Sequence, residues 1–324
     1  MRKKKEISEI LNPKNQLRLF GYDYYFHSFS KLFHKGKLPN SILLSGPQGI
    51  GKATFAYHFI NYLLSQNEAD KYLVKNFMIN PNNKSYKLLI ENLHPNFFLI
   101  DNNSSLNDIK IEDVRNLANF LKKSTFSSDL KIVLIDNAEY LNLNSSNSLL
   151  KVLEEPSKNT FFFLIYNNSA KILNTIKSRC IEFKFHLTFD EKKIILKNII
   201  NDFENDFNLA NIDNNFYFNT PGNILKFLEI VHDNEIDYSN DKISCILYFI
   251  DAYIKNKNPQ YLFFISHLIE QFYNDLSLKN KIDINLCFTN KFNLLNQIDR
   301  FKKFNLDKQN LFISLKEKIL NDSK

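Results

Sequence analysis

The chain has 324 residues, 44% of them hydrophobic, and a formal charge of +7. It carries enough apolar material for a buried core and is too long for one typical domain, so a disordered chain is excluded and two or three domains are expected. The charge permits a polyanionic partner without requiring one. The longest apolar run, Phe161–Tyr166, is too short to cross a bilayer, and the 3 cysteines and 7 histidines are too scattered for a disulfide framework or a zinc site. A cytoplasmic chain without zinc and without membrane contact is expected.

In chain order, Met1–Glu6 is basic, but no apolar stretch follows, so it reads as neither signal peptide nor anchor. Ile42–Ser45 is the first strand-like run. Beyond Lys52, Phe55, Phe59 and Leu63 recur every four residues, which places them on one face of an amphipathic helix. Residues 65–93 are polar and rich in Asn and Lys, and read as an insertion or mobile crossover. Four more strand-like runs follow: Phe97–Asp101, Lys131–Asp136, Phe161–Tyr166 and Ile181–Phe185. A helix at residues 111–123 carries a stripe of Val114, Leu117 and Leu121 between the first two of these. Short continuous apolar runs are the pattern of strands buried on both faces, and their alternation with helices predicts an α/β sandwich around a central parallel sheet.

Past Phe185 the strands stop. Thr188 and Glu191 have the spacing of a capping box, and the pattern stays helical to the last residue, interrupted at Pro221-Gly222. Aromatic residues stripe this part: Tyr248, Phe249, Tyr253, Phe263, Phe264, Phe272 and Tyr273. They exceed what a small solvated bundle needs, which points to an oligomerisation domain; the ordinary alternative is that they fill the bundle's own core. The predicted domains are 1–185 (α/β), 186–240 (small, helical) and 241–324 (helical), with no internal repeat.

The glycines are the most informative residues. The chain has only 6, and Gly46, Gly49 and Gly51 fall within six positions of one another. This scarcity, like the surplus of Lys, Asn, Ile and Phe, reads as the codon bias of an AT-rich genome, so a cluster of glycines calls for a physical reason. Residues 46–53, GPQGIGKA, fit Gly-x-x-x-x-Gly-Lys, the loop that cradles phosphate. Its backbone must take positive φ values and bring N–H groups against phosphate oxygens, which residues without a Cβ do at least cost. The following helix points its positive end at the anion, and Lys52 adds a charge. The next position usually carries the hydroxyl that binds Mg²⁺, and here it is Ala53. Thr54 is no simple substitute, because one helical step turns the side chain by about 100°. Asp136, at the end of a buried strand, is the usual second metal-side residue.

The motifs together resemble one family. Residues 36–54 (GKLPNSILLSGPQGIGKAT), 94–101 (HPNFFLID), Asn147 with LLKVLEEP (149–156) and TIKSRC (175–180) stand in the order of the clamp-loader branch of the AAA+ ATPases, over residues 15–185. The resemblance implies an AAA+ P-loop domain followed by a helical lid and an all-α collar. In such ATPases a Glu after the strand-end Asp orients the attacking water, but here Asn137 stands there. Glu139, two positions on, is expected not to reach the site because the strand ends at Asp136. Asn167 or Asn168 sits where the family senses the γ-phosphate; a strand-end turn is the ordinary reading. Thr220–Leu228 resembles the lid motif, with Asn223 where active subunits have Arg; Lys226, one turn on, reads as a solvated lysine. Glu154 and Glu155 read as a helix end stopped by Pro156.

Arg is rare here, with only Arg2, Arg18, Arg115, Arg179 and Arg300 present. By the resemblance, Arg179 is an arginine finger reaching a neighbouring subunit's ATP; alone, it would read as a surface ion pair. The degenerate ATPase positions are most similar to the delta-prime subunits of bacterial DNA polymerase III. The resemblance therefore implies a ring member with little or no hydrolysis of its own. It would hold ATP or ADP passively through Gly46, Gly49, Gly51, Lys52, Ala53, Thr54, Asp136 and Asn167. Its partners would be motor and delta-type subunits, with the sliding clamp and primed DNA met through the assembled complex. The alternative is a working motor subunit or a related DNA-repair ATPase, against which stand Ala53, Asn137, Asn223 and the missing zinc-type cysteine cluster.

Overall fold

In a computed structural model the apolar runs become five strands: β1 (Ser41–Ser45), β2 (Phe97–Ile100), β3 (Lys131–Ile135), β4 (Thr160–Tyr166) and β5 (Ile181–Lys184). They form one sheet in the order β2-β3-β4-β1-β5, and every pairing is parallel. The structure describes residues 12–101, 108–123, 130–168, 171–202, 219–238, 241–278, 283–304 and 308–322. The basic start and the expected boundary at residue 240 lie outside them.

Side chains alternate along each strand, so each run feeds two cores. Ile42, Leu44, Ile132, Leu134, Phe161 and Phe163 face one layer, packed with α1 (Asp23–His34), α2 (Lys52–Leu64) and α3 (Lys84–Ile90). Leu43, Val133, Ile135, Phe162 and Leu164 face the other. There they meet Val114 and Leu117 of α4 (Ile111–Lys122), Leu149 and Leu153 of α5 (Leu143–Glu154) and Ile176 of α6 (Asn174–Lys177). A lysine can open the buried strand β3 because the Lys131 ammonium donates to Leu121 O and Lys123 O, at the negative end of α4.

Two expectations need correction. Helix α2 is not amphipathic: every residue from Phe55 to Leu64 is buried. The reason is the stretch 65–93, which is neither a loose insertion nor a crossover without structure. Tyr72, Ile79, Tyr86 and Leu89 belong to the same core as α2. Buried polar side chains tie the two together. His58 meets Tyr72 Oη and Gln16 O, both at 3.0 Å, and burial lowers its pKa to about 3. Asn61 donates to Asn83 Oδ1 at 3.1 Å, and Asn83 donates to Asp70 O at 2.8 Å. Asn83 also caps α3 by accepting from Tyr86 N at 2.7 Å, while the Glu68 carboxylate accepts from Lys84 N at 2.9 Å. The Asn-rich composition that reads as loop thus supplies caps and a buried polar network.

The second correction concerns β5. It is the sheet edge, pairing with β1 alone, and Ile181, Glu182 and Lys184 are exposed. Only Phe183 and Phe185 on this segment turn inward, with Phe185 stacked on Tyr25 at 5.0 Å.

The described helices continue with α7 (Phe189–Asp202), α8 (Pro221–Asp233), α9 (Lys242–Asn256), α10 (Pro259–Leu278), α11 (Ile284–Phe304) and α12 (Lys308–Asp322). Thr188 and Glu191 form the expected reciprocal cap at the start of α7, with Thr188 N to Glu191 Oε2 at 2.7 Å and Glu191 N to Thr188 Oγ1 at 3.3 Å. The chain divides into two compact units, Met1–Phe207 with Tyr217–Lys226, and Asn208–Phe216 with Phe227–Lys324. In the second unit Phe249, Tyr253, Phe264, Phe272 and Tyr273 are all buried. Five of the seven stripe residues therefore fill that unit's own core, while Tyr248 is half-buried and Phe263 exposed, so most of the surplus inferred from the sequence is absent. Among its exposed apolar side chains, Ile284, Phe288 and Phe292 line up at i, i+4 and i+8 on α11. No helix among the described residues is long and apolar enough to cross a membrane.

Candidate functional site

The loop between β1 and α2 is held by its carbonyls. Lys52 Nζ donates to Gly46 O and Pro47 O, each at 2.8 Å. Thr220 Oγ1 donates to Gln48 O at 2.7 Å, and Gly222 N to Gly49 O at 2.9 Å. Tyr22 Oη donates to Ile50 O at 2.8 Å, and Phe55 N to Gly51 O at 2.9 Å. Every carbonyl from Gly46 to Gly51 thus has a donor within the chain. The amides from Gln48 to Thr54 are not paired with an acceptor among the described residues. A cradle whose carbonyls are satisfied and whose N–H groups are free fits a phosphate group.

The glycines are required by both conformation and space. Gly49 has φ +77°, and a Cβ there would lie 2.7 Å from Thr220 Oγ1 and 3.0 Å from Asn223 N. Gly46 has φ +152°, and a Cβ would lie 2.6 Å from Phe185 O. The residues at the head of α8, the stretch read as the lid motif, therefore sit directly on the loop. Asn223 is there, but an amide carries no charge for a phosphate.

Lys52 is 2% exposed. Burial lowers its pKa to about 8, against the pull of the Glu139 and Asp136 carboxylates, which favour the charged form. Both carboxylates come from the end of β3. Asp136 accepts from Asn137 N at 2.9 Å through Oδ1. Asn137 takes the left-handed conformation, φ +57°, and opens a single 3-10 turn, Ala138–Tyr140. That turn swings Glu139 inward, where it is 8% exposed and accepts from Asn167 N at 3.2 Å. The expectation that Glu139 stays away is therefore wrong: the strand does end, but the turn after it returns the side chain. Asn167 also donates through Nδ2 to Asn137 Oδ1 at 2.6 Å, so the two strand ends are clasped together. The sequence carried one signal for this, an Asn at the position that needs positive φ.

The metal side of the site is thinner. Ala53 offers no oxygen, and Thr54 lies half-buried one step further round α2. The residues present fit a nucleotide's phosphates and do not make the usual magnesium set.

Arg179 is elsewhere. It stands on the turn between α6 and β5, donating through Nη1 to Thr175 O at 3.0 Å and pairing through Nη2 with Glu154. The register puts Ile181 beside Ile42, at the opening end of β1, whereas the loop begins after Ser45 at its far end. Four residues of parallel strand are roughly 13 Å. The structure therefore groups Lys52, Asp136, Glu139 and Asn167 around the loop, and leaves Arg179 at the opposite end of the strands, beside the edge strand β5.

A five-stranded parallel sheet in this order, with a phosphate loop after its fourth strand in spatial order, an acidic strand end beside it and a helical element seated on the loop, is a P-loop domain of the AAA+ type. The chain belongs to the family described as DNA polymerase III, delta subunit, which matches residues 23–189. It is 34% identical to DNA polymerase III subunit delta' of Pseudomonas aeruginosa over 154 residues, which is 48% of this chain and 45% of that protein. It is 29% identical to subunit gamma of Buchnera aphidicola subsp. Schizaphis graminum over 196 residues, 60% of this chain and 52% of that protein. Among solved structures it is similar to a DNA polymerase III gamma subunit-related protein of Thermotoga maritima, with 15% identity, a TM-score of 0.46 and coverage of 91% of this chain and 99% of that one. The chain spans about half the length of the curated relatives it matches.

Proposed function

We propose that this chain is a delta-prime-type member of a clamp-loader ring that hydrolyses little or no ATP and donates Arg179 to the ATP site of a neighbouring motor subunit. The observation that carries this reading is the contrast between two places in one domain. The loop keeps the shape of a phosphate cradle but lacks the hydroxyl at Ala53 and the acid at Asn137. A guanidinium meanwhile stands at the opposite end of the strands, about 13 Å of strand away from its own loop. The ring's partners are motor and delta-type subunits, and the sliding clamp and primed DNA are met through the assembled complex, in the cytoplasm. Glu139 does not restore hydrolysis on this reading, because its carboxylate is engaged by Asn167 N and lies near the Lys52 charge. Residues 241–324 are the oligomerisation collar, a role supported by the exposed stripe on α11 rather than by the buried rings.

The test is turnover by the isolated chain. ATP hydrolysis is expected to be no faster than in a Lys52→Ala control, measured by phosphate release with Mg²⁺. A steady rate near 1 per second, typical of slow enzymes, and abolished by Lys52→Ala, would favour the motor-subunit reading.

Passive nucleotide binding has its own signature. A phosphate needs the Lys52 ammonium, and burial places its loss of a proton at about pH 8. A bound anion raises that pKa again, so binding above pH 8 must take up a proton. ADP affinity is therefore expected to be flat from pH 6.5 to 7.5 and to fall by up to about tenfold per unit above pH 8. Calorimetric titration at several pH values reads this directly, and Lys52→Met should bind weakly with no such slope. Equal affinity at pH 7 and pH 9.5 would remove Lys52 from the binding site.

A further inference from the structure

The paired glutamates at the end of α5 read, in sequence, as no more than a helix end. In the structure Glu154 is the residue that holds the Arg179 guanidinium. We infer that Glu154 is a positioning residue for Arg179, fixing the guanidinium at the edge of the domain so that it meets a neighbouring subunit's phosphates already oriented. This rests on the finger reading of Arg179 given above.

The backbone around the pair is anchored on both sides. Leu149 and Leu153 pin the last turns of α5 to the sheet, and Ile176 and Cys180, which bracket Arg179, are buried in the same core. Pro156 cannot continue α5, so Glu154 is the final helical residue. Two acceptors from two elements then grip the guanidinium, Thr175 O on one Nη and the Glu154 carboxylate on the other. A guanidinium carries five donors, so these two bonds leave three for an acceptor on another molecule. The Arg179 side chain is 32% exposed and that of Glu154 48%, so the pair lies at the surface, open to a partner.

At that exposure an ion pair adds little to folding. A fold this well packed does not need it. The freedom of a long Arg side chain is a different matter, since its rotamer entropy must be lost before a planar fork can meet phosphate oxygens. Glu154 and Thr175 remove much of that freedom before the neighbour arrives. Preorganisation of this kind acts on the rate of the chemical step rather than on assembly.

The experiment uses the ring reconstituted from full-length subunits with its motor and delta-type partners, stimulated by clamp and primed DNA. Glu154→Ala and the isosteric Glu154→Gln are expected to enter the ring as the unaltered chain does. Each should lower kcat with KM for ATP unchanged, Glu154→Ala by roughly ten- to a hundredfold and Glu154→Gln by less, because it keeps an oxygen acceptor. The double variant Glu154→Ala, Arg179→Ala should be no slower than Arg179→Ala alone. If Arg179→Ala is slow but both Glu154 variants turn over like the unaltered ring, Glu154 does not position the finger. A double variant clearly slower than Arg179→Ala overturns the inference as well, since Glu154 then acts through something else. Should Glu154→Ala fail to assemble, Glu154→Gln decides by the same criterion. If Arg179→Ala itself is as fast as the unaltered ring, it is the finger reading that fails.

Discussion

Replacing Arg179 with alanine is expected to reduce ATP turnover at one neighbouring motor site by about 10³-fold or more, the range of a finger supplied in trans being about 10³–10⁵. The chain itself should stay folded and enter the ring, because Arg179 is partly exposed and contributes one surface ion pair. The charge is needed only in the transition state, where it spreads over the transferring phosphoryl oxygens, so kcat should carry the loss. Arg179→Lys should do nearly as badly. Lysine keeps the charge but not the planar fork, and its ammonium has no second nitrogen to share between Glu154 and a phosphate. Single-turnover hydrolysis in the reconstituted ring, with the motor sites inactivated one at a time, identifies which site depends on this chain. Wild-type turnover at every site with both variants would leave Arg179 as a surface residue paired with Glu154.

The second large effect lies in the core beneath the loop. Phe55 is fully buried, and its ring meets Phe29 at 5.4 Å and Phe185 at 5.2 Å. Tyr22, which holds the loop through Ile50 O, lies against the same ring at 6.4 Å. Phe55→Ala removes the ring and leaves a cavity that packed aromatic neighbours fill poorly, at a cost of about 3–5 kcal/mol. Domains have about 5–15 kcal/mol in total, so this takes a large part of the margin. Urea unfolding of the full chain followed by far-UV circular dichroism should show the midpoint of the α/β unit falling by about 1 M or more. Tyr24→Ala is the control in the same unit. Tyr24 is 79% exposed, and its loss should stay within about 0.5 kcal/mol. Because Phe55 stands three residues after Lys52 and supports Tyr22, ADP binding should weaken along with stability. Equal midpoints for the two variants would mean that the aromatic cluster does not carry this core.

Much of the α/β half was written in local patterns. Short apolar runs of strand length, rich in β-branched and aromatic residues and alternating with helical stretches, read as buried strands, so β1 to β4 were legible directly. Gly46, Gly49 and Gly51 announced the loop because positive φ is a local demand that few other residues meet. The Thr188 and Glu191 cap was legible for the same reason, since both partners lie within one helical turn. The departures at Ala53, Asn137 and Asn223 are likewise plain in sequence, as chemical groups that are missing.

What the sequence could not decide depended on residues brought together from far apart. Residues 65–93 read as loop because Asn and Lys are polar, and polarity alone does not tell a solvated side chain from one buried with a partner. Asn83 is buried because Asn61 and the Asp70 carbonyl satisfy it, and neither is near it in the chain. Helix α2 lost its polar face because that same stretch covers it. Glu139 entered the site through a left-handed residue and one 3-10 turn, a change of direction with no periodic signature. Most rings of the second unit are buried in one bundle, a packing that no local pattern of aromatic residues distinguishes from a surplus. Arg179 and Glu154 are 25 residues apart and meet only because α5 and the turn before β5 pack on one face of the sheet. Local sequence fixed which backbone conformations and functional groups were available; long-range packing, which no short window contains, decided which of those groups face one another.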